Sequence, residues 1–210
     1  MMIPGNPHVS RKGPDPSKAR LTMILVHGRG ASSADILGLA DELGTTDVAF
    51  VAPDAPGRTW YPHSFLSPIP QNEPGISSGL AVLAGIVSAL NHDGVTTDRI
   101  GLLGFSQGAC LSLEFAARNA RRYAAIIGLS GGLIGPPGTP RDYTGSMAGT
   151  PVYLGCSDID AHIPLDRVHE SAEVFRQLGA SVDERIFAGM GHLVNAEEIG
   201  AMKELLSAQP

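Results

Sequence analysis

Five short, largely apolar stretches and a sixth of mixed polarity punctuate the chain, and amphipathic segments with helical spacing fill the intervals. Leu21 to Val26 is a continuous apolar run that ends in His27-Gly28-Arg29-Gly30, which reads as a buried strand feeding a tight loop. Val48–Val51, Arg99–Phe105, Tyr123–Leu129, Pro151–Gly155 and Val182–Phe187 read as the remaining strands. Between them, Ile36, Leu39, Ala40 and Leu43 follow the capping residues Ser32 and Ser33 and close at Gly44. Ile76, Leu80, Leu83, Val87 and Leu90 recur at helical spacing with almost no charge before Asp93, so that helix should be buried on most sides. Further helices are predicted over Ala109–Arg118, about Pro164–Leu178, and around Ile199, Met202 and Leu206. Parallel neighbours need a crossover, so alternating strands and helices predict an α/β fold: a mostly parallel central sheet with helices on both faces.

Composition narrows this picture. Of 210 residues, 26 are glycine and 16 proline, one fifth of the chain against about one eighth in average proteins. With 43% apolar residues the chain can still offset the entropy of ordering, so the excess must shape ordered turns. Asp54 to Pro74 concentrates prolines with Trp60, Tyr61, His63 and Phe65, and reads as a structured aromatic loop. Residues 1–20 carry several prolines and basic residues without an apolar stretch, which predicts a disordered N-terminal tail on a cytoplasmic protein, with residues 21–210 forming a single domain. The longest nearly apolar run, Gly79–Leu90, is about half the length of a membrane span, so no stable membrane insertion is expected. A net charge of −6 with no basic stripe argues against nucleic acid. Cys110 and Cys156 lack metal-ligand spacing and read as small buried residues, with no metal or organic cofactor implied.

The chemistry-bearing motif is Gly104-Phe105-Ser106-Gln107-Gly108, between an apolar strand and a helix. A serine that attacks a carbonyl must stand clear of the sheet on a sharp turn, with no side-chain bulk two residues to either side. Its hydroxyl needs a base, and the base a carboxylate, both downstream of the serine. Of seven histidines, His192 alone follows the last strand on a glycine-flanked loop. For the acid, the loop after Pro151–Gly155 offers Asp158 and Asp160, while Asp166 is explained by a helix N-terminus. The oxyanion would be met by the backbone N–H groups of Gln107 and Arg29.

Together Leu-Val-His27-Gly28-x-Gly30, Gly-Phe-Ser106-Gln-Gly, Asp160-x-x-Ile-Pro164 and Gly-Met-Gly-His192 resemble the phospholipase/carboxylesterase family of α/β-hydrolases, the group that includes acyl-protein thioesterases. The resemblance runs from Leu21 to the C-terminus. It implies an α/β-hydrolase fold without a separate lid domain, with Ser106 as nucleophile, Asp160 rather than Asp158 as acid and His192 as base. It also implies that Trp60, Tyr61 and Phe65, with His63 nearby, contact substrate, while simple anchoring of the proline-rich loop by these aromatics stays open; Gly131–Pro137, after the next strand, offers a second wall on the same terms. Arg29 departs from the apolar residue of many long-chain members; a guanidinium at the pocket mouth favouring polar or anionic esters and simple surface solvation both stay open. The expected activity is hydrolysis of small-molecule carboxylic esters of short to medium acyl chain through an acyl-enzyme. Long-chain thioesterase or lysophospholipase activity is the alternative, and a non-catalytic binding module the third reading. Oligomeric state, monomer or homodimer, is not legible.

Overall fold

The computed structural model describes residues 7–209. Seven strands form one sheet: β1 (Val9–Lys12), β2 (Leu21–Val26), β3 (Val48–Pro53), β4 (Ile100–Phe105), β5 (Ile126–Leu129), β6 (Pro151–Ser157) and β7 (Ser181–Phe187), in the spatial order β1-β3-β2-β4-β5-β6-β7. All neighbouring pairs are parallel except β1 with β3. The helices are α1 (Ser33–Ile36), α2 (Gly38–Leu43), α3 (Gly75–His92), α4 (Gln107–Arg118), α5 (Leu165–Gln177) and α6 (Ala196–Ser207).

Continuous apolar strands fit this arrangement because both faces of the sheet are covered. Alternate residues of one strand enter different cores: Ile24 and Val26 of β2 join α3, α4 and α5 on one face, while Met23 and Leu25 join α1, α2 and α6 on the other. Strands β2, β4 and β5 occupy the middle, so β4 delivers the residue after it, Ser106, to the centre of the C-terminal end of the parallel strands, on the side where the loops that follow β2, β6 and β7 emerge.

Two expectations are corrected here. Residues 7–20 are not a disordered tail: β1 pairs Val9 to Pro53 and Lys12 to Phe50, Ser10 hydrogen-bonds Ser33, and Lys12 ion-pairs with Asp41. Four residues of mixed polarity on a sheet edge carry no period strong enough to read, and residues 1–6 lie outside the described part. The single helix expected after Ser32 is two short ones that meet at Leu37. Helix α3, at 18 residues, is long and apolar enough to cross a membrane, beyond the Gly79–Leu90 run. Its Ile76, Leu83, Ile86, Val87 and Leu90 nevertheless lie in the protein core.

Helix α6 starts four residues after His192, and its cap fixes where the histidine loop ends. Asn195 Oδ1 accepts from the Glu198 N–H at 2.8 Å, and Glu198 Oε2 accepts from the Asn195 N–H at 3.0 Å. Glu198 is fully buried and its Oε1 has no partner among the described residues. Burial pushes its carboxyl up from 4.5 to about 7, against the lowering by the Asn195 N–H. Between those values the folded state holds a proton that the unfolded chain has released, so stability falls as pH rises from about 4.5 to 7. Glu198→Gln is therefore expected to melt above the wild type at pH 8, by about 1–3 kcal/mol, with the gap closing toward pH 4.5. Thermal melts of both proteins across this range check it, and parallel pH profiles would contradict it.

Candidate active site

Ser106 stands between β4 and α4 with φ 55° and ψ −120°, a left-handed conformation rare for a residue with a side chain. The turn is tight enough that a Cβ on Gly104 would run into the backbone of Gly108, and one on Gly108 into the carbonyl of Val26. Both glycines are therefore steric necessities. The Ser106 N–H donates to Leu129 O at 2.9 Å and its carbonyl accepts from the Cys110 N–H at 3.0 Å, so β5 and the first turn of α4 hold the strained residue in place.

Three side chains form a hydrogen-bonded line. His192 Nε2 is 2.8 Å from Ser106 Oγ, and His192 Nδ1 is 2.7 Å from Asp160 Oδ2. Asp160 has no solvent-accessible side chain. Burial alone would raise its carboxyl, but the His192 bond and the N–H donors of His162 and Ile163 at Oδ1 outweigh it and hold it below the usual carboxylate range. With the acid ionised, Nδ1 carries a proton and Nε2 is left to accept one from the serine. The imidazole sits between the Phe105 ring at 5.0 Å and the edge of His162 at 4.8 Å. Its loop is fixed from the β6 side: the Gly189 N–H donates to Asp158 Oδ1 at 2.8 Å and the Gly191 N–H to Ser157 Oγ at 2.9 Å. Asp158 thus holds the histidine loop and does not reach the imidazole.

Opposite this line, neither the Arg29 N–H nor the Gln107 N–H has a protein acceptor among the described residues, as an oxyanion-binding pair requires. The loop that carries Arg29 is braced by His27, which is fully buried. Its Nε2 accepts from the Ala55 N–H at 3.0 Å, and its backbone carbonyl accepts from Trp60 Nε1–H at 2.9 Å. The Gln107 side chain ties the aromatic loop to the elbow, accepting from the Trp60 N–H at 2.9 Å and donating to Tyr61 O at 2.8 Å. Arg29 closes the same loop from outside, with Nη1 and Nη2 donating to the carbonyls of Pro62 and His63 at 2.8 and 2.7 Å.

These parts border a cavity of about 430 Å³ that reaches Ser106 and His192. Tyr61, His63 and Phe65 line it, with Arg29, Cys110, His162 and Ile163. Trp60 does not, which corrects the expectation for it: its indole is buried and spent on the His27 carbonyl. Gly131–Pro137 is not a wall of this cavity either. It lies behind the wall, where the Gly135 N–H donates to Phe65 O at 2.8 Å. Burial pushes the thiols of Cys110 and Cys156 up to about 12, so both stay protonated and neither competes as a nucleophile. No group of residues suited to hold a metal ion occurs among the described residues.

The profile of the Phospholipase/Carboxylesterase family matches residues 12–209. The chain belongs to this family. Among its similar proteins, acyl-protein thioesterase 1 of Yarrowia lipolytica is 27% identical over 205 residues, covering 88% of this chain and 90% of that one. A phospholipase/carboxylesterase from Dyadobacter fermentans, known as a crystal structure, is 35% identical with a TM-score of 0.92, covering 96% of both chains. The Bacillus cereus carboxylesterase, 16% identical with a TM-score of 0.75 over 95% of this chain and 92% of its own, shares the fold. The mostly parallel seven-stranded sheet is thus the α/β-hydrolase fold.

Within this phospholipase/carboxylesterase-family chain, three features of the site escape sequence reasoning. His162 and Ile163 enter the cavity because the Asp160 loop folds back on its own N–H groups, a turn for which Asp at the first position was the available signal. Cys110 lines the cavity because it lies one helical turn after Ser106 on α4. The amide of Gln107 acts as a brace across the loop, and that partner, 47 residues away, leaves no local pattern.

Proposed function

We propose that the protein is a serine carboxylesterase that hydrolyses carboxylic esters of short to medium acyl chain through an acyl-enzyme. The observation that carries this reading is the hydrogen-bonded line from Ser106 to His192 to Asp160, set on a strained elbow that opens into the cavity. In the first step Ser106 Oγ bonds to the ester carbonyl carbon while its proton passes to His192 Nε2. Asp160 steadies the imidazolium, and the N–H groups of Arg29 and Gln107 meet the oxyanion. The C–O bond to the alcohol then breaks, and the alcohol leaves with the proton from Nε2. Water adds to the acyl-enzyme by the same route, which returns the proton to Ser106 and releases the acid. Tyr61, His63 and Phe65 flank the acyl or alcohol part. The polar mouth, with Arg29, His63 and His162, suits a short chain better than a long one.

A second reading, hydrolysis of long-chain thioesters or lysophospholipids, is favoured by the relatives named acyl-protein thioesterase 1. A series of p-nitrophenyl esters from acetate to palmitate separates the two. Each buried methylene adds about 0.8 kcal/mol, so a long apolar channel would show as activity still rising beyond about ten carbons. The carboxylesterase reading expects a maximum at shorter chains. For the machinery itself, Ser106→Ala and Asp160→Asn are each expected to lower kcat by about 10,000-fold with little change in Tm. Asp158→Asn, acting through a looser histidine loop, should cost no more than about a hundredfold. Substantial turnover by Ser106→Ala, or a larger loss in Asp158→Asn than in Asp160→Asn, would overturn the assignment.

A further inference from the structure

The cavity beside Ser106 has a charge pattern opposite to that of the chain as a whole. The protein carries a net charge of −6, yet the cavity is lined by Arg29, His63, His162 and His192 and by no carboxylate. On the segment that carries His162 and Ile163, Asp160 and Asp158 are already committed, and Asp166 stands exposed in the first turn of α5 and does not line the cavity. Asp160 lies behind His192, closed to solvent, with its oxygens taken by the imidazole and by two backbone N–H groups. Asp158 accepts from the Gly189 N–H of the histidine loop.

Arg29 is the fixed charge in this pattern. No carboxylate pairs with it among the described residues; its two recorded bonds go to the neutral carbonyls of Pro62 and His63. Those bonds hold the guanidinium in one orientation and leave its charge uncancelled. Two of its five N–H donors are used, so three are free for a ligand. Its backbone N–H is the proposed oxyanion donor, and the residue lines the same cavity as Ser106. A carboxylate arriving there meets a preoriented fork and no like charge, in a cleft that concentrates the field. An alkyl chain in the same place would strip water from the guanidinium without compensation.

We propose that the site selects esters that bear a second, anionic group within a few bonds of the scissile carbonyl, and that Arg29 is the residue that sets this specificity. The proposal rests on the ester-hydrolase reading above and deepens it by naming the substrate class. Arg29 is exposed at the cavity mouth, so screening limits the preference to about tenfold.

Two matched pairs test it. Monoethyl glutarate against ethyl pentanoate exchanges a carboxylate for a methyl on the acyl side, and 4-acetoxybenzoate against 4-methylphenyl acetate does so on the alcohol side. The readout is the ratio of kcat/KM, anionic over neutral, in the wild type, in Arg29→Met and in Arg29→Lys. Loosening of the Pro62–His63 segment affects both members of a pair and cancels in the ratio. Arg29→Met is expected to lower the ratio about tenfold for one pair, with Arg29→Lys in between; the pair that responds tells which side of the ester carries the anion. An unchanged ratio in both pairs overturns the proposal. Should Arg29→Met fold poorly, inhibition of the wild type decides: glutarate should bind about tenfold more tightly than glutaramide, and equal inhibition overturns the proposal. A wild type that hydrolyses none of the four esters would instead contradict the ester-hydrolase reading.

Discussion

Ser106 is held at φ 55°, ψ −120° where its own Cβ disfavours that conformation, and the remainder of the site is arranged around keeping it there. The strained residue is over-determined: β5 takes its N–H, the first turn of α4 takes its carbonyl, and Gly104 and Gly108 let β2, β4 and α4 approach without a side chain between them. The backbone contact at Gly108 is with the end of β2, where the oxyanion loop begins. One close approach therefore sets the height of the nucleophile and its distance from the loop that would receive the developing charge.

Around this elbow the groups proposed to act in catalysis lie on separate loops that are cross-braced by hydrogen bonds between neighbours. His27 joins the loop after β2 to the aromatic loop through Ala55 and Trp60, and Gln107 joins the same aromatic loop to the start of α4. Ser157 and Asp158 hold the glycines on either side of Met190, so the imidazole is aimed from the end of β6 and the loop after it, which also carries Asp160. Buried Arg167 donates at 2.6 Å to the carbonyls of both Leu133 and Gly135, and buried Glu114 accepts from the Ile134 N–H at 3.0 Å. These contacts fix the segment that supports Phe65 from behind. Loops braced in this way arrive at the reacting position without ordering on substrate, which is the physical content of preorganisation.

The central architecture was legible in the sequence because fully buried parallel strands leave continuous apolar runs, and five of the seven strands, β2 to β6, do so, while β7 carries Asp183, Glu184 and Arg185 between its apolar ends. β1 was not, since Val9-Ser-Arg-Lys12 is held by an edge pairing to β3 and by two side-chain contacts that lie far away in sequence. Ser106, Asp160 and His192, which the structure brings into one hydrogen-bonded line, were expected from the residue type that each proposed role demands near a particular strand end. Trp60 was misplaced for an instructive reason. An aromatic on a proline-rich loop has two uses, substrate wall or anchor, and the choice depends on the His27 carbonyl that its indole reaches. Gln107 and Arg29 show the same limit, because their side chains act on partners across the cavity and no local spacing records that.

The account stands or falls on whether the strained serine is the reactive nucleophile. Intact-mass measurement after treatment with a fluorophosphonate, followed by peptide mapping, tests this directly, since the reagent phosphonylates an activated hydroxyl and displaces fluoride. The prediction is a single adduct on Ser106 in the wild type, and at least about a thousandfold slower labelling in His192→Ala, where the base is gone. An adduct on another residue, or labelling of Ser106 at an equal rate without His192, would contradict the account.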